Sequence, residues 1–491
     1  MLSYRIYLVD DLQVVELPNA EGIFEETTWG QVLPGDDTRG KAGMGLDDAI
    51  VGYNHGKIDK SLAFISWAFC GILHFAAMGI PVHSRWGPPL EQYAHRYDEA
   101  FVNGPEILDY GTTSTALQCM KTISIISKEQ DDTKFDLLAG AITLEMLRSV
   151  LLLSLSADGI QSLREPALVR GCIRLMKLVK VHDVISPFSY EYGYLCFSVA
   201  RMALGICLVE KFGEQHLEGF MKCVWTEYPT KDNPSILTEY LVQIVLNETS
   251  TWSPRESRCG WIFGWSDPPA HGGHSRLVVA ESDALELMKI LGDDRKMFFK
   301  ALLSAYTPGA LIILLLIWQR MLRNGLQRDF SGPPSRVPFL EQFLDLSWRF
   351  ALAARPSDYG FVFTTGISAM FHLGKLAASP VDVEDSRAII SAYIQGIPII
   401  EDTLLYRQTA LGLYPHIPHF IIRNILLGTE NLFPALIKTI LARMWEMILW
   451  EGLEHIFTPP AIVASGVEDL LLFLHIHAAD SSVIQIVLEE R

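Results

Sequence analysis

The chain has 491 residues, 49% of them hydrophobic and 20% charged, with a formal net charge of −17. That apolar content excludes a disordered composition and is enough to fill a large core. The acidic balance argues against nucleic-acid binding, which needs clustered Lys and Arg to displace phosphate counterions, and no basic stripe with interleaved aromatics is visible.

Residues 1–17 have strand-like content without an obvious partner. From Pro18 to Gly56 the sequence is acidic and glycine-rich, with Pro34-Gly35-Asp36-Asp37 followed by Gly40, Gly43 and Gly45. A flexible N-terminal arm over 1–57 is expected. Ten acids against three bases in residues 1–50 supply −7 of the −17. The three glycines are not a dinucleotide fingerprint, because no strand precedes them and the spacing differs. Met1-Leu2-Ser3-Tyr4-Arg5, followed by Asp10-Asp11, lacks the basic-then-apolar order of a signal peptide, so a cytoplasmic or nuclear location is expected. Seven cysteines (70, 119, 172, 196, 207, 223 and 259) have no framework spacing and fit free buried thiols in a reducing compartment.

A helical body follows. Its first half, 58–248, predicts helices at about 59–78, 88–101, 115–128, 133–156, 165–181, 188–210, 213–226 and 234–248. Pro166 falls in a first turn, where its missing N–H costs nothing, and Gly213 after Phe212 is a C-terminal stop. The stretch 249–277 breaks the rhythm with Trp252, Trp261 and Trp265 among prolines and glycines. A loop of that length inside a helical body is often functional, so the three tryptophans are a candidate interaction surface. The second half, 278–491, predicts helices at about 278–291, 294–306, 309–328, 337–354, 365–378, 382–395, 397–412, 418–427, 430–451, 459–475 and 480–490. Asp293 or Asp294 is expected to cap the second of these with its carboxylate. The connector Ser331-Gly332-Pro333-Pro334-Ser335 interrupts this half.

Two windows, Ser61–Ser84 and Ala301–Gln319, lack Asp, Glu, Lys and Arg over about a membrane's span. Gly79-Ile80-Pro81 shortens the first, and Pro308-Gly309 leaves the second an apolar core of nine residues, Ala310–Trp318. Buried helices of a large protein account for both, and membrane association is the alternative.

Leu151 to Gln161, with Ser156-Ala157-Asp158-Gly159 at its centre, resembles the armadillo/HEAT pattern of a leucine-rich helix, a small-residue turn with an acid, and an apolar opening to the next helix. Similar turns occur at Leu291-Gly292-Asp293-Asp294 and at His477 to Val483. The 136 residues from Asp158 to Asp294 and 186 from Asp294 to Asp480 are near three and four such repeats. The resemblance implies an all-α, right-handed solenoid of stacked hairpins whose surface binds a protein partner. The family's asparagine ladder for extended peptides is not visible.

Three constellations could carry chemistry. Cys259, His271 and His274, with Asp267 as a fourth group, could ligate zinc, although zinc sites usually pair ligands at short spacing. His416-x-x-His419 and His475-x-His477 read as core or surface histidines. Asp131-Asp132 with Asp136 resembles the Asp-rich magnesium motif of class I terpene synthases, which would imply a diphosphate substrate. The spacing departs from that family's, the second motif reaches only Asn247-Glu248 and Glu256, and helix capping also explains these acids. No Gly-x-Ser-x-Gly, His-Glu-x-x-His, Walker loop or Cys-x-x-Cys appears. The expectation is a non-enzymatic helical-repeat scaffold for protein–protein interaction, without a cofactor. A membrane-associated helical protein and a magnesium-dependent enzyme resembling terpene synthases stand as alternatives.

Overall fold

A computed structural model describes residues 81–97, 108–156, 158–183, 185–227, 232–250, 259–266, 276–325, 339–354, 381–395 and 417–449. All lie in one compact unit, Leu73–Arg491. The N-terminal arm, the window 61–80, the connector 331–335 and the helices expected at 365–378, 397–412, 459–475 and 480–490 lie outside the described residues. The fold is all-α: among the described residues the only β pairing is two isolated bridges, His83 with Gly87 and Pro89 with Tyr190.

After the short turns Leu90–Tyr93 and Ala94–Arg96, the helices run α1 Tyr110–Ile126, α2 Asp132–Ala141, α3 Leu144–Leu155, α4 Pro166–Asp183 and α5 Glu191–Lys211. Then come α6 Glu214–Lys222, α7 Asn233–Ser250, α8 Glu281–Asp293, α9 Arg295–Ser304 and α10 Ala310–Gly325. The last are α11 Leu340–Ala353, α12 Val383–Gln395, α13 Ile417–Arg423 and α14 Phe433–Leu449. Short polar side chains start several of them by accepting first-turn N–H groups. Asp109 takes Thr112 N at 2.9 Å for α1, and Asp131 takes Thr133 N at 2.9 Å and Lys134 N at 3.2 Å for α2.

The helix expected over 133–156 is two. α2 and α3 meet at a 71° bend, because the Thr143 hydroxyl accepts Met146 N at 3.3 Å and begins a new helix. A β-branched residue with a local hydrogen bond to offer competes with helix continuation, and the unbroken apolar pattern through Ile142 hides it. The cap expected from Asp293 or Asp294 is also absent. Asp294 occupies the position before α9, but its carboxylate turns away to Ser186 and Phe188.

α5 is the axis of the core. Every residue from Glu191 to Val209 is buried, enclosed by α3, α4, α6, α7 and α10. It is long and apolar enough to cross a membrane by composition, and protein covers it all round, as for a core helix. The second apolar window gives α10, which begins after Pro308-Gly309 and is buried from Ala310 to Gln319.

From α5 the packing extends outward. α1 lies on α3 and α4, α4 on α8, α8 on α10 and α11, α11 on α12, and α12 on α14. α1 and α4 approach each other closely at the backbone, where a Cβ at Gly171 would stand 2.4 Å from the Ile123 carbonyl oxygen. Ion pairs register the layers. Arg170 with Asp283 at 3.7 Å, Lys177 with Glu286 at 3.1 Å, and Lys180 with Asp293 join α4 to α8. Lys296 pairs with Asp382 at 2.7 Å and Glu384 at 2.6 Å, joining α9 to the start of α12.

Candidate functional site

Of the residues singled out by sequence, Trp261 and Trp265 are placed inward, 9% and 8% exposed. Trp261 meets Phe212 edge-on at 5.4 Å, and Trp265 donates its indole N–H to the Val279 carbonyl at 2.6 Å. They plug the five-residue turn Cys259–Phe263 against the body, leaving no open aromatic surface at these two positions. Trp252, Asp267, His271 and His274 lie outside the described residues, as does the Cys259 side chain. Asp131, Asp132 and Asp136 are exposed on α2, where Asp131 serves as the cap. Among the described residues no group of three His, Cys, Asp or Glu could hold a metal ion. Of the histidine pairs, only His419 is described, half-buried on α13.

A polar row on the buried axis escaped the sequence reading. Glu191, Tyr194, Ser198 and Arg201 recur at helical spacing along one face of α5. Glu191 is wholly buried and takes a two-pronged guanidinium from Arg148, at 2.8 and 2.6 Å, with Arg96 at 3.1 Å and the Tyr97 hydroxyl completing its shell. Burial pushes its carboxyl up, but the Arg148 and Tyr97 hydrogen bonds and the two cations outweigh that and hold it below the ordinary value. Burial drives the Tyr97 phenol far up, and the Glu191 charge adds to that.

Tyr194 packs against the rings of Tyr93 and Tyr97, with centroids at 5.1 and 5.0 Å, and donates to the Tyr306 carbonyl at 3.2 Å. Its phenol is pushed up to about 12 by burial. The Tyr306 hydroxyl donates to Asp232 at 2.7 Å and lies 2.7 Å from the Ser235 hydroxyl, tying the start of α7 to the α9–α10 connection. The Glu191 charge is answered by Arg148 and Arg96, and the Tyr97 and Tyr194 phenols keep their protons. The row pins helices together. Its sequence signal was faint: one acid and one base inside an apolar helix.

The outer faces differ. Tyr110, Leu117 and Ile125 are exposed on α1, whose opposite face is sealed, and Leu137 is 71% exposed on α2. On α14, Trp445 is 60% exposed beside Leu441, one turn earlier, while Phe433, Leu436 and Ile440 face inward. Trp225 is 55% exposed on the π-helical turn Cys223–Glu227. Sequence alone does not give these, since apolar residues on both faces of a helix read as core.

Compared with known proteins, the chain matches no family model, no curated protein and no solved structure.

Proposed function

We propose that this chain is a non-enzymatic helical scaffold, a right-handed α-solenoid of stacked hairpins similar to armadillo and HEAT repeats, that presents its outer helix faces to a protein partner. Packing between helices close in sequence, α1 with α3 and α4 and α4 with α5, supports the stacked arrangement, since solenoid repeats contact mainly their neighbours. The observation that carries the function is the set of large apolar side chains, Tyr110, Leu117, Ile125 and Leu137, left open on α1 and α2. Trp445 with Leu441 forms a second such face, and aromatic side chains are enriched at the energetic centres of protein interfaces. Buried free thiols at Cys119, Cys172, Cys196 and Cys207 support a reducing compartment, cytoplasm or nucleus.

The test pairs Leu117→Glu/Ile125→Glu with Leu441→Glu/Trp445→Glu in affinity capture, with thermal stability measured alongside. Loss of a specific captured protein at unchanged stability supports the scaffold reading. Identical captured sets from all three proteins overturn it. Flotation with phospholipid vesicles, lost in Trp445→Glu, replaces it with membrane association.

A further inference from the structure

Asp294 stands where α8 turns into α9 and reaches across to the turn Pro187–Ser189 that leads into α5. Its Oδ2 accepts from the Ser186 hydroxyl and from Phe188 N at 3.4 Å. The Phe188 carbonyl in turn accepts the Tyr93 hydroxyl at 2.6 Å, so three chain segments meet at this corner. One side of the corner is aromatic: Phe188 packs on Phe197 and Phe298, with ring centroids 5.4 and 5.1 Å away. Both groups donating to the carboxylate are neutral. Among the described residues, the charged and titratable groups around it are Lys180 on α4, which bonds Asp293, Asp293 itself on α8, and Tyr93 on the first turn. Arg295, next along α9, is directed to Asp345 at 3.4 Å.

We propose that Asp294 is an acid-closed latch: protonated, it holds the α8–α9 corner to the start of α5, and ionised, it loosens that corner. A carboxylate buried among neutral donors and rings is costly to ionise, because burial strips most of its hydration and, among the described residues, no cation bonds it directly. Burial pushes this carboxyl up to about 7, against the opposing pull of Ser186, Phe188 N and Lys180. The closed form therefore binds the proton more tightly than the open form. Closure is strongest below the ordinary value of 3.8, fades as pH rises toward about 7, and is level beyond.

Hydrogen exchange of the Phe188 amide between pH 5 and 8, corrected for intrinsic exchange, tests this. Opening rises by up to about tenfold per pH unit until near pH 7 and then levels. Asp294→Asn, which keeps an acceptor oxygen but cannot ionise, gives a flat profile. Ser186→Ala, which removes a donor to the anion, moves the midpoint upward. Matching profiles for the parent and Asp294→Asn overturn the proposal. So does a carboxyl carbon titration of Asp294 in the parent with its midpoint near 4, which decides the matter even where the variant does not fold.

Discussion

Arg349 on α11 and Asp385 on α12 meet through two parallel hydrogen bonds, Nη1 to Oδ1 at 2.6 Å and Nη2 to Oδ2 at 2.8 Å, with both side chains buried. Asp345, one turn before Arg349, takes its Nε at 2.8 Å, and Arg295 reaches Asp345 from α9 at 3.4 Å. Two acids and two bases thus close on each other where α9, α11 and α12 meet. Such a network adds little net stability over apolar packing, but it is expensive to break from one side.

Arg349→Met leaves Asp345 and Asp385 buried with Arg295 as their one remaining base in the network. It is expected to cost about 3–5 kcal/mol in urea unfolding, seen as a lower midpoint at unchanged slope. Arg349→Lys does not restore the parent value, because an ammonium cannot supply the parallel pair of donors. A loss below about 1 kcal/mol would be that of a solvent-screened surface pair and would contradict the burial seen here.

Glu191 contributes to the pH dependence of the first layers. Its carboxyl is held below the ordinary value in the folded chain, so the unfolded chain binds the proton more tightly. Its stability contribution is present above the unfolded value of about 4.5 and is lost as pH falls through the folded one. Glu191→Gln is expected to flatten this acid limb while lowering stability at pH 7, because Arg148 then loses its buried anionic partner and keeps the exposed Glu145 at 3.6 Å. Unfolding midpoints for parent and variant between pH 3 and 7 check it; parallel curves would remove Glu191 from the acid response.

The thiols give a direct chemical reading of the core. Cys119, Cys172, Cys196 and Cys207 are buried, and burial pushes Cys119 and Cys207 up to about 12. Thiolate is the reactive form, so an aromatic disulfide reagent at pH 8 is expected to leave these four unmodified in the native chain and to label them all in denaturant. Peptide mapping assigns each position. Rapid native labelling of Cys172 or Cys196 would mean that α4 and α5 open readily.

What the sequence made legible was whatever it encodes locally. Pro166 opens α4 as its fixed φ and missing N–H require. Gly213 separates α5 from α6 with a positive φ of 124°. α1 starts five residues earlier than expected, since Gly111 to Thr115 are poor helix formers and the Asp109 cap outweighs them. What depended on distant partners was hidden. Asp294 was rightly placed at a helix junction, but its hydrogen-bond partners lie 106 and 108 residues away. Glu191 sits alone in apolar sequence and Arg349 has only Asp345 one turn away, so that the folded chain is what brings Arg96, Arg148 and Asp385 to them. Trp225 and Trp445 were hidden for the opposite reason, being apolar residues that face out.

Two helical glycines carry opposite expectations. At Gly140 on α2 an added methyl meets nothing within 4 Å, so Gly140→Ala gains helix propensity and restricts the unfolded chain. A gain of about 0.5–1 kcal/mol is expected from that substitution. At Gly171 on α4 the same methyl would lie 2.4 Å from the Ile123 carbonyl oxygen and 2.5 Å from its Cγ2. The oxygen belongs to α1's backbone, so relief requires moving a helix, where a rotamer change would be cheap. Gly171→Ala is therefore expected to lose about 1–3 kcal/mol, the usual cost of overpacking, despite its better propensity. The two variants measured side by side separate propensity from packing: both stabilising would mean that α1 and α4 are not in backbone contact, and both destabilising would mean that α2 is not the exposed helix described.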